Sequence, residues 1–350
     1  MDAATLNLRD TLDGLLDGRS LPTATASQLF VALAGAETPP AMAGALLAAL
    51  RAKGVTAEEL RGFALAMRRL ARRPAIADAS HAVDIVGTGG DRSGSFNLST
   101  GAALLTAAAG VPVIKHGNRS VSSKAGSADV LEALGLPLPL DEQRAAACLR
   151  ETGFTFLFAP HYHPAMKAIA PVRAALGVRT VFNILGPLCN PAEPAYHVIG
   201  AYSLEVARLM AEALAGLPIR RAFVIHGFGG WDEPTPLGPF TLLDVQDGKV
   251  TQNEHTPQDY GLPVCQEAVL MGGDAAFNAV ALHRALRGDD RGGHRDALLL
   301  GAALALQVTG TQRDARAAVQ QAAAAIDSGA ALRLLEQLAA FGAAAAGALR

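Results

Sequence analysis

From residue 81 the chain alternates short apolar runs with helix-length segments, and that alternation restricts the fold more than any other feature. HAVDIVGTGG is an apolar run ending in glycines, STGAALLTAAAG has helical spacing, and VPVIKHG is a second short run. GSADVLEALG and DEQRAAACLRETG are helical, FTFLFAP is a third run, and YHVIGAY and RAFVIHG flank the helix SLEVARLMAEALAG. Strands alternating with helices of this length form a mainly parallel central sheet covered by helices on both faces, an α/β fold. PFTLLDVQDGKVTQ places Asp-Gly between alternating runs and predicts a hairpin.

Residues 4–73 have the three-and-four spacing of helices throughout, with Thr23 or Thr25 placed to cap one of them. HPAMKAIAPVRAALGVRTVFNILGPLCNPAEP is helical again and is expected to pack with the N-terminal helices. The division that follows is a small helical unit of 1–79 plus about 162–192, and a larger α/β unit of 80–161 plus about 193–350. Beyond about 273 the chain is Ala-rich and helical.

A formal net charge of -2 argues against a general nucleic-acid or membrane-surface binder. The uncharged stretch 93–114 approaches the length of a membrane span, but Asn97, Ser99, Thr100 and Pro112 interrupt it. The opening MDAATLNLRDTLDGLL has no basic start and no unbroken apolar run, so no secretion signal is read and a cytoplasmic protein is expected. Cys148, Cys189 and Cys265 share no CxxC spacing and read as small buried hydrophobes.

Two βα turns carry chemistry. In DIVGTGGDRSGSFNLST (84–100), Gly87, Gly89 and Gly90 let the backbone approach a ligand, while Ser95, Asn97, Ser99 and Thr100 add side-chain donors at a helix start. The pattern matches neither the P-loop nor the dinucleotide fingerprint. KHGNRSVSSKAGSADVLEALG (115–135) repeats the arrangement at the next strand end, with Lys115 and Ser hydroxyls ready for an anion and Ser127 placed to cap the helix 128–134. Only five of the 30 cations are Lys, and Lys115 and Lys124 bracket this loop. Two successive anion-ready turns suit a ligand with two separated phosphate groups. Asp232-Glu233, just past RAFVIHG, suit a hard divalent cation, or else form a solvated turn. Arg173 and Arg179 lie six apart, and either can clamp a carboxylate or remain a surface cation. His161 and His163 read as local hydrogen-bonding groups before a metal pair.

Taken in order, GTGGD…FNLST, KHGNRSVSSKAGSADVLEALG, HPAMK, VRAALGVRTVFNILGPLCNPA, WDE and GGDAAFNA resemble the anthranilate phosphoribosyltransferase family, glycosyltransferases that share a fold with pyrimidine nucleoside phosphorylases. The resemblance spans about 80–345 and implies transfer of the 5-phosphoribosyl group from phosphoribosyl pyrophosphate to anthranilate, with Mg²⁺, in a homodimer formed through the small helical unit. Matched residue by residue, it implies donor contacts from Gly87, Gly90, Asp91, Ser95, Asn97, Leu98, Ser99 and Thr100. Lys115, His116, Gly117, Asn118, Arg119, Ser120, Val121, Ser122, Ser123 and Ser127 complete that set. It implies magnesium at Ser99, Asp232 and Glu233, and anthranilate at Gly87, Asn118 and Arg173, with Arg173, Asn118 and Lys115 the catalytic group. His116 is the nearest candidate base, although a loop-structuring role suits it better.

Several positions depart from the family pattern: Arg92, Trp231, the stiff Pro234-Thr235-Pro236, and Gly301 where an Asn is expected. Three alternatives stand beside the main reading: transfer to another aminobenzoate, a nucleoside phosphorylase, and a non-catalytic relative holding single-stranded nucleic acid.

Overall fold

The computed structural model describes residues 6–91, 93–119 and 124–347. Seven strands form one sheet in the order β3-β2-β1-β4-β5-β6-β7. They are β1 Val83–Gly87, β2 Val113–Gly117, β3 Phe154–Phe158, β4 Tyr196–Gly200, β5 Arg221–His226, β6 Phe240–Gln246 and β7 Lys249–His255. The first five run parallel, and the last two join by antiparallel pairings, β6 against β5 and β7 against β6. Interior strands such as RAFVIH are buried on both sides, as parallel strands under helices must be. The Asp-Gly hairpin is present between β6 and β7, with Asp247 at φ 52° and Gly248 at φ 72°, the signs a two-residue turn needs to follow strand twist.

Four N-terminal helices precede the sheet: α1 Leu8–Leu16, α2 Thr23–Ala34, α3 Pro40–Lys53 and α4 Ala57–Arg69. Pro22 occupies the N-cap of α2 without a side-chain cap bond, so neither Thr23 nor Thr25 serves as expected; proline's fixed φ sets the entry to the helix instead. At α4 Thr56 does cap, and Glu59 returns the bond in a capping box. Glu59 is buried and also accepts from Leu21 N at 2.9 Å and Lys53 Nζ at 3.0 Å, which ties three segments together. The helix Met166–Leu176 packs on α2 and α3.

Two apolar cores result. One joins α1–α4 with residues 169–189 and the Leu204–Ala215 helix beneath one sheet face. The other fills the opposite face, under α5 (Leu98–Ala108) and the helix Gly293–Val308. The strand order reverses beside β1, whose neighbours are β2 and β4, and such a reversal leaves a crevice outside the carboxyl ends of the strands. Helix α6, Ser127–Ala133, begins at its edge. No helix among the described residues is long and apolar enough to cross a membrane.

Helices α2 and α4 touch at Gly62, where an added Cβ falls 2.4 Å from Thr23 O and 2.7 Å from Ala26 Cβ. Gly62→Ala is therefore expected to lower stability by about 1–3 kcal/mol in chemical denaturation. Unaltered stability would contradict this contact.

Candidate active site

Asp232 and Glu233 follow β5 and are only 6% and 8% exposed. Their main chain runs across the ends of the neighbouring strands, and glycine makes the crossing possible. A Cβ at Gly200, the last residue of β4, would fall 1.5 Å from Asp232 O; one at Gly87, the last of β1, would fall 2.5 Å from Asp232 Oδ2. Gly87 was expected at the site for its backbone. Gly200 was missed, since at the end of an apolar run it reads as an ordinary strand terminus.

The first turn wraps the acidic pair. Asp232 Oδ2 accepts from Gly89 N and from Thr88 Oγ1, and its own N–H faces Asp91 Oδ2 at 3.4 Å. Glu233 accepts from Ser99 N at 2.9 Å, at the start of α5, and from Ser95 Oγ at 3.2 Å. Burial raises both carboxyl pKa values above the ordinary range. Asp91 and then Glu233 push Asp232 further up, while the Ser99 amide moderates Glu233. The turn thus gathers more negative charge than it neutralises. Beneath it lies a cavity of about 20 Å³, lined by Ser99, Asp232 and Glu233 and by Ala102, Val198 and Gly301. That is room for about one water.

Asn97 joins the two turns. It sits in the left-handed region at φ 64°, a conformation Asn tolerates better than most residues. Its Nδ2 donates to Ala125 O in the second turn, and its Oδ1 accepts from Asn278 Nδ2. Asn278, in the segment GGDAAFNA, is a positioning residue that the site reading omitted. Leu98 and Thr100 turn their side chains into the core.

In the second turn Lys115 is 1% exposed, and its Nζ donates to Ile85 O and to Ser99 Oγ at 3.3 Å. Burial lowers its pKa to about 8, against the pull of Asp84, Glu233 and Asp232. His116 is buried, with its ring centroid 5.0 Å from that of His163, and burial holds its pKa well below the usual imidazole value. Such a ring stays neutral and structures the strand end. Gly117 ends β2, and Asn118 O accepts from Ser127 Oγ at 3.2 Å. Gly126, not Ser127, is the N-cap of α6, and Asp129 accepts its N–H at 2.9 Å. The Arg119 guanidinium pairs with Asp129 and Glu132 on α6. Ser120, Val121, Ser122 and Ser123, like Arg92, lie outside the described residues.

Arg173 lies on Met166–Leu176 with its guanidinium carbon 5.2 Å from the centre of the Phe182 ring. It makes no hydrogen bond or ion pair among the described residues, and burial lowers its pKa. Arg179 behaves differently: it stacks 4.2 Å from the centre of the Tyr202 ring and donates to Gly90 O, while its own carbonyl accepts from Arg51 Nη1 at 2.8 Å. Of the two arginines the sequence singled out, Arg179 is bound and Arg173 is available. His161 and His163 do not converge with a third ligand; no metal-type cluster of three occurs among the described residues.

The family model "Glycosyl transferase family, a/b domain" matches residues 79–332, and "Glycosyl transferase family, helical bundle domain" matches residues 9–71. The anthranilate phosphoribosyltransferase of Rhodopseudomonas palustris (strain BisB18) is 46% identical, over 97% of this chain and 99% of its own. The chain belongs to the anthranilate phosphoribosyltransferase family. A crystal structure of the Thermus thermophilus family member matches with TM-score 0.89 and 42% identity, covering 95% of this chain and 99% of that one. The Saccharomyces cerevisiae member, in complex with phosphoribosyl pyrophosphate and Mg, matches with TM-score 0.87 and 26% identity over 96% and 98%.

Because Gly200 and Asp232 O leave no room between them, Gly200→Ala is expected to push the acidic segment off the strand ends. Trp231, the single tryptophan and buried next to that segment, reports it. Its emission is expected to move to longer wavelength, with about 1–3 kcal/mol of stability lost; an unchanged spectrum would refute the packing.

Proposed function

We propose that this chain transfers the 5-phosphoribosyl group from phosphoribosyl pyrophosphate to the amine of anthranilate, releasing pyrophosphate. The observation that carries the reading is the buried acidic pair held by the donors of one anion-ready turn beside a second such turn, in a member of this family.

The residues fit a magnesium ion. Asp232 and Glu233 are buried groups whose charges repel each other and Asp91, and Ser99 lines the same cavity. Two carboxylates suit a cation that takes its remaining ligands from phosphate and water. When bound, Mg²⁺ supplies positive charge to pyrophosphate oxygens.

The protein's own groups do the rest. The Lys115 ammonium, beside Ser99 at the start of α5, meets the negative charge that builds on pyrophosphate as its bond to C1 breaks. Gly87 and Gly90 bring the main chain close to the donor, and Asn97 keeps the turns at a fixed separation. Arg173, over the Phe182 ring and without a hydrogen bond or ion pair among the described residues, receives the anthranilate carboxylate so that the neutral amine faces C1 with Asn118 beside it. The amine nitrogen forms the new bond to C1, and its surplus proton leaves afterwards; neutral, buried His116 does not take it. The division into a helical and an α/β unit, the helical unit as the homodimer contact, and work in the cytoplasm complete the reading. The helical-bundle match over residues 9–71 supports the first, and exposed Leu16 and Leu65 on the helical unit support the second.

Purified protein with Mg²⁺ and phosphoribosyl pyrophosphate is expected to consume anthranilate, read as loss of its fluorescence. Arg173→Ala is expected to raise the acceptor KM about tenfold or more while leaving donor affinity within about twofold. No consumption across a panel of aminobenzoates would defeat the assignment. A thymidine or uridine phosphorolysis in its place would favour the phosphorylase reading.

The metal should also compete with protons. Glu233 titrates at about 7, and Asp232 lies above the ordinary range, so below neutrality the pair holds protons that magnesium must displace. Magnesium affinity is therefore expected to rise between about pH 6 and about pH 8, by up to about tenfold per unit for each proton released. Calorimetry giving a flat profile would show that these carboxyls are not the ligands.

A further inference from the structure

The sheet opens between β1 and β2. Strand β1 runs in register with β4 along its whole length, and β2 does so with β3. Between β1 and β2 only Val83↔Val113 is paired. Two residues on, Ile85 lies opposite Lys115, and a continued parallel ladder would join Ile85 N–H to Ile114 O and His116 N–H to Ile85 O. Side chains meet those groups instead. His116 N donates to Asp84 Oδ1 at 3.2 Å, Ile114 O accepts from Asn190 Nδ2 at 2.8 Å, and Ile85 O accepts from Lys115 Nζ. The same Asn190 nitrogen donates to Asp84 Oδ2 at 2.9 Å.

Asp84, Lys115 and Asn190 are all essentially inaccessible to solvent. Strand alternation puts Asp84 and Lys115 on opposite faces, so one reaches into the gap from each side. Isolated buried charges are costly, and a continuous backbone ladder would satisfy the same three groups without them. The arrangement makes sense where the separation itself is used: it spreads the turns that leave β1 and β2 and leaves Lys115 Nζ within reach of Ser99 at the start of α5.

We propose that Asp84 and Asn190 are positioning residues that act through Lys115, wedging β1 from β2 so that the ammonium and the two anion turns stand at the spacing the donor requires. This rests on the transfer reading above and adds to it two residues that touch neither substrate.

The test is a double-mutant cycle on the full-length enzyme with Asp84→Asn and Lys115→Met, reading donor and acceptor KM and, by calorimetry, donor affinity with Mg²⁺. Asp84→Asn is expected to raise the donor KM about tenfold and leave the acceptor KM within about twofold. In the Lys115→Met background the same change is expected to add less than about twofold. Asn190→Ser, which removes the amide donor from both partners, is expected to follow the same pattern and serves if Asp84→Asn misfolds. Equal losses for donor and acceptor, or losses that multiply in the double variant, would overturn the proposal. So would misfolding of both single variants, which would assign the pair to the core alone. A wild-type chain that fails to bind the donor would remove the transfer reading and this proposal together; wild-type activity with independent losses would remove the proposal only.

Discussion

Placing two adjacent carboxyl groups in the interior, with a third beside them, is unfavourable until something positive arrives, and much of the crevice is arranged around that fact. Gly89, Thr88, Ser95 and Ser99 satisfy the oxygens without cancelling their charge. Lys115 is the nearby cation, yet it is itself buried and partly committed to Ile85 O. The acidic pair is therefore hydrogen-bonded by its neighbours without being fully charge-compensated by them. That arrangement requires the acidic segment to lie flat across the strand ends, which glycine at 87 and 200 allows.

A second theme is connection between loops by single side chains. Asn97 spans from the first turn to Ala125 in the second and is held by Asn278 from a distant helix. A left-handed Asn at a helix start is a mild strain, offset here by three-way hydrogen bonding that fixes the relative position of both turns. Asp84 and Asn190 perform a comparable task one layer lower, inside the sheet.

The architecture was legible because hydrophobic period and glycine punctuation are local signals. Strand-helix alternation from residue 81 and the Asp-Gly hairpin needed no long-range information. Two helix caps were misread for a local reason as well: Pro22 and Gly126 take the capping positions that Thr23 or Thr25 and Ser127 seemed suited to fill. The acidic pair and Arg173 stood out by residue type in context. What stayed hidden depends on partners far apart in sequence. Gly200 matters only because residue 232 crosses it, and Asn190 only because it meets residues 84 and 114. A signal did exist for Asp84: an acid within the otherwise apolar run HAVDIV demands a buried partner.

Arg179 gives its carbonyl to Arg51 of the helical bundle and its guanidinium to Gly90 of the glycine turn, six residues after Arg173. The short stretch between these arginines consequently works as a ruler between two halves of the crevice. Lineages descending from such a chain can recolour the walls of the cleft by substitution, but an insertion or deletion between Arg173 and Arg179 would shift the calibration of the whole scaffold at once.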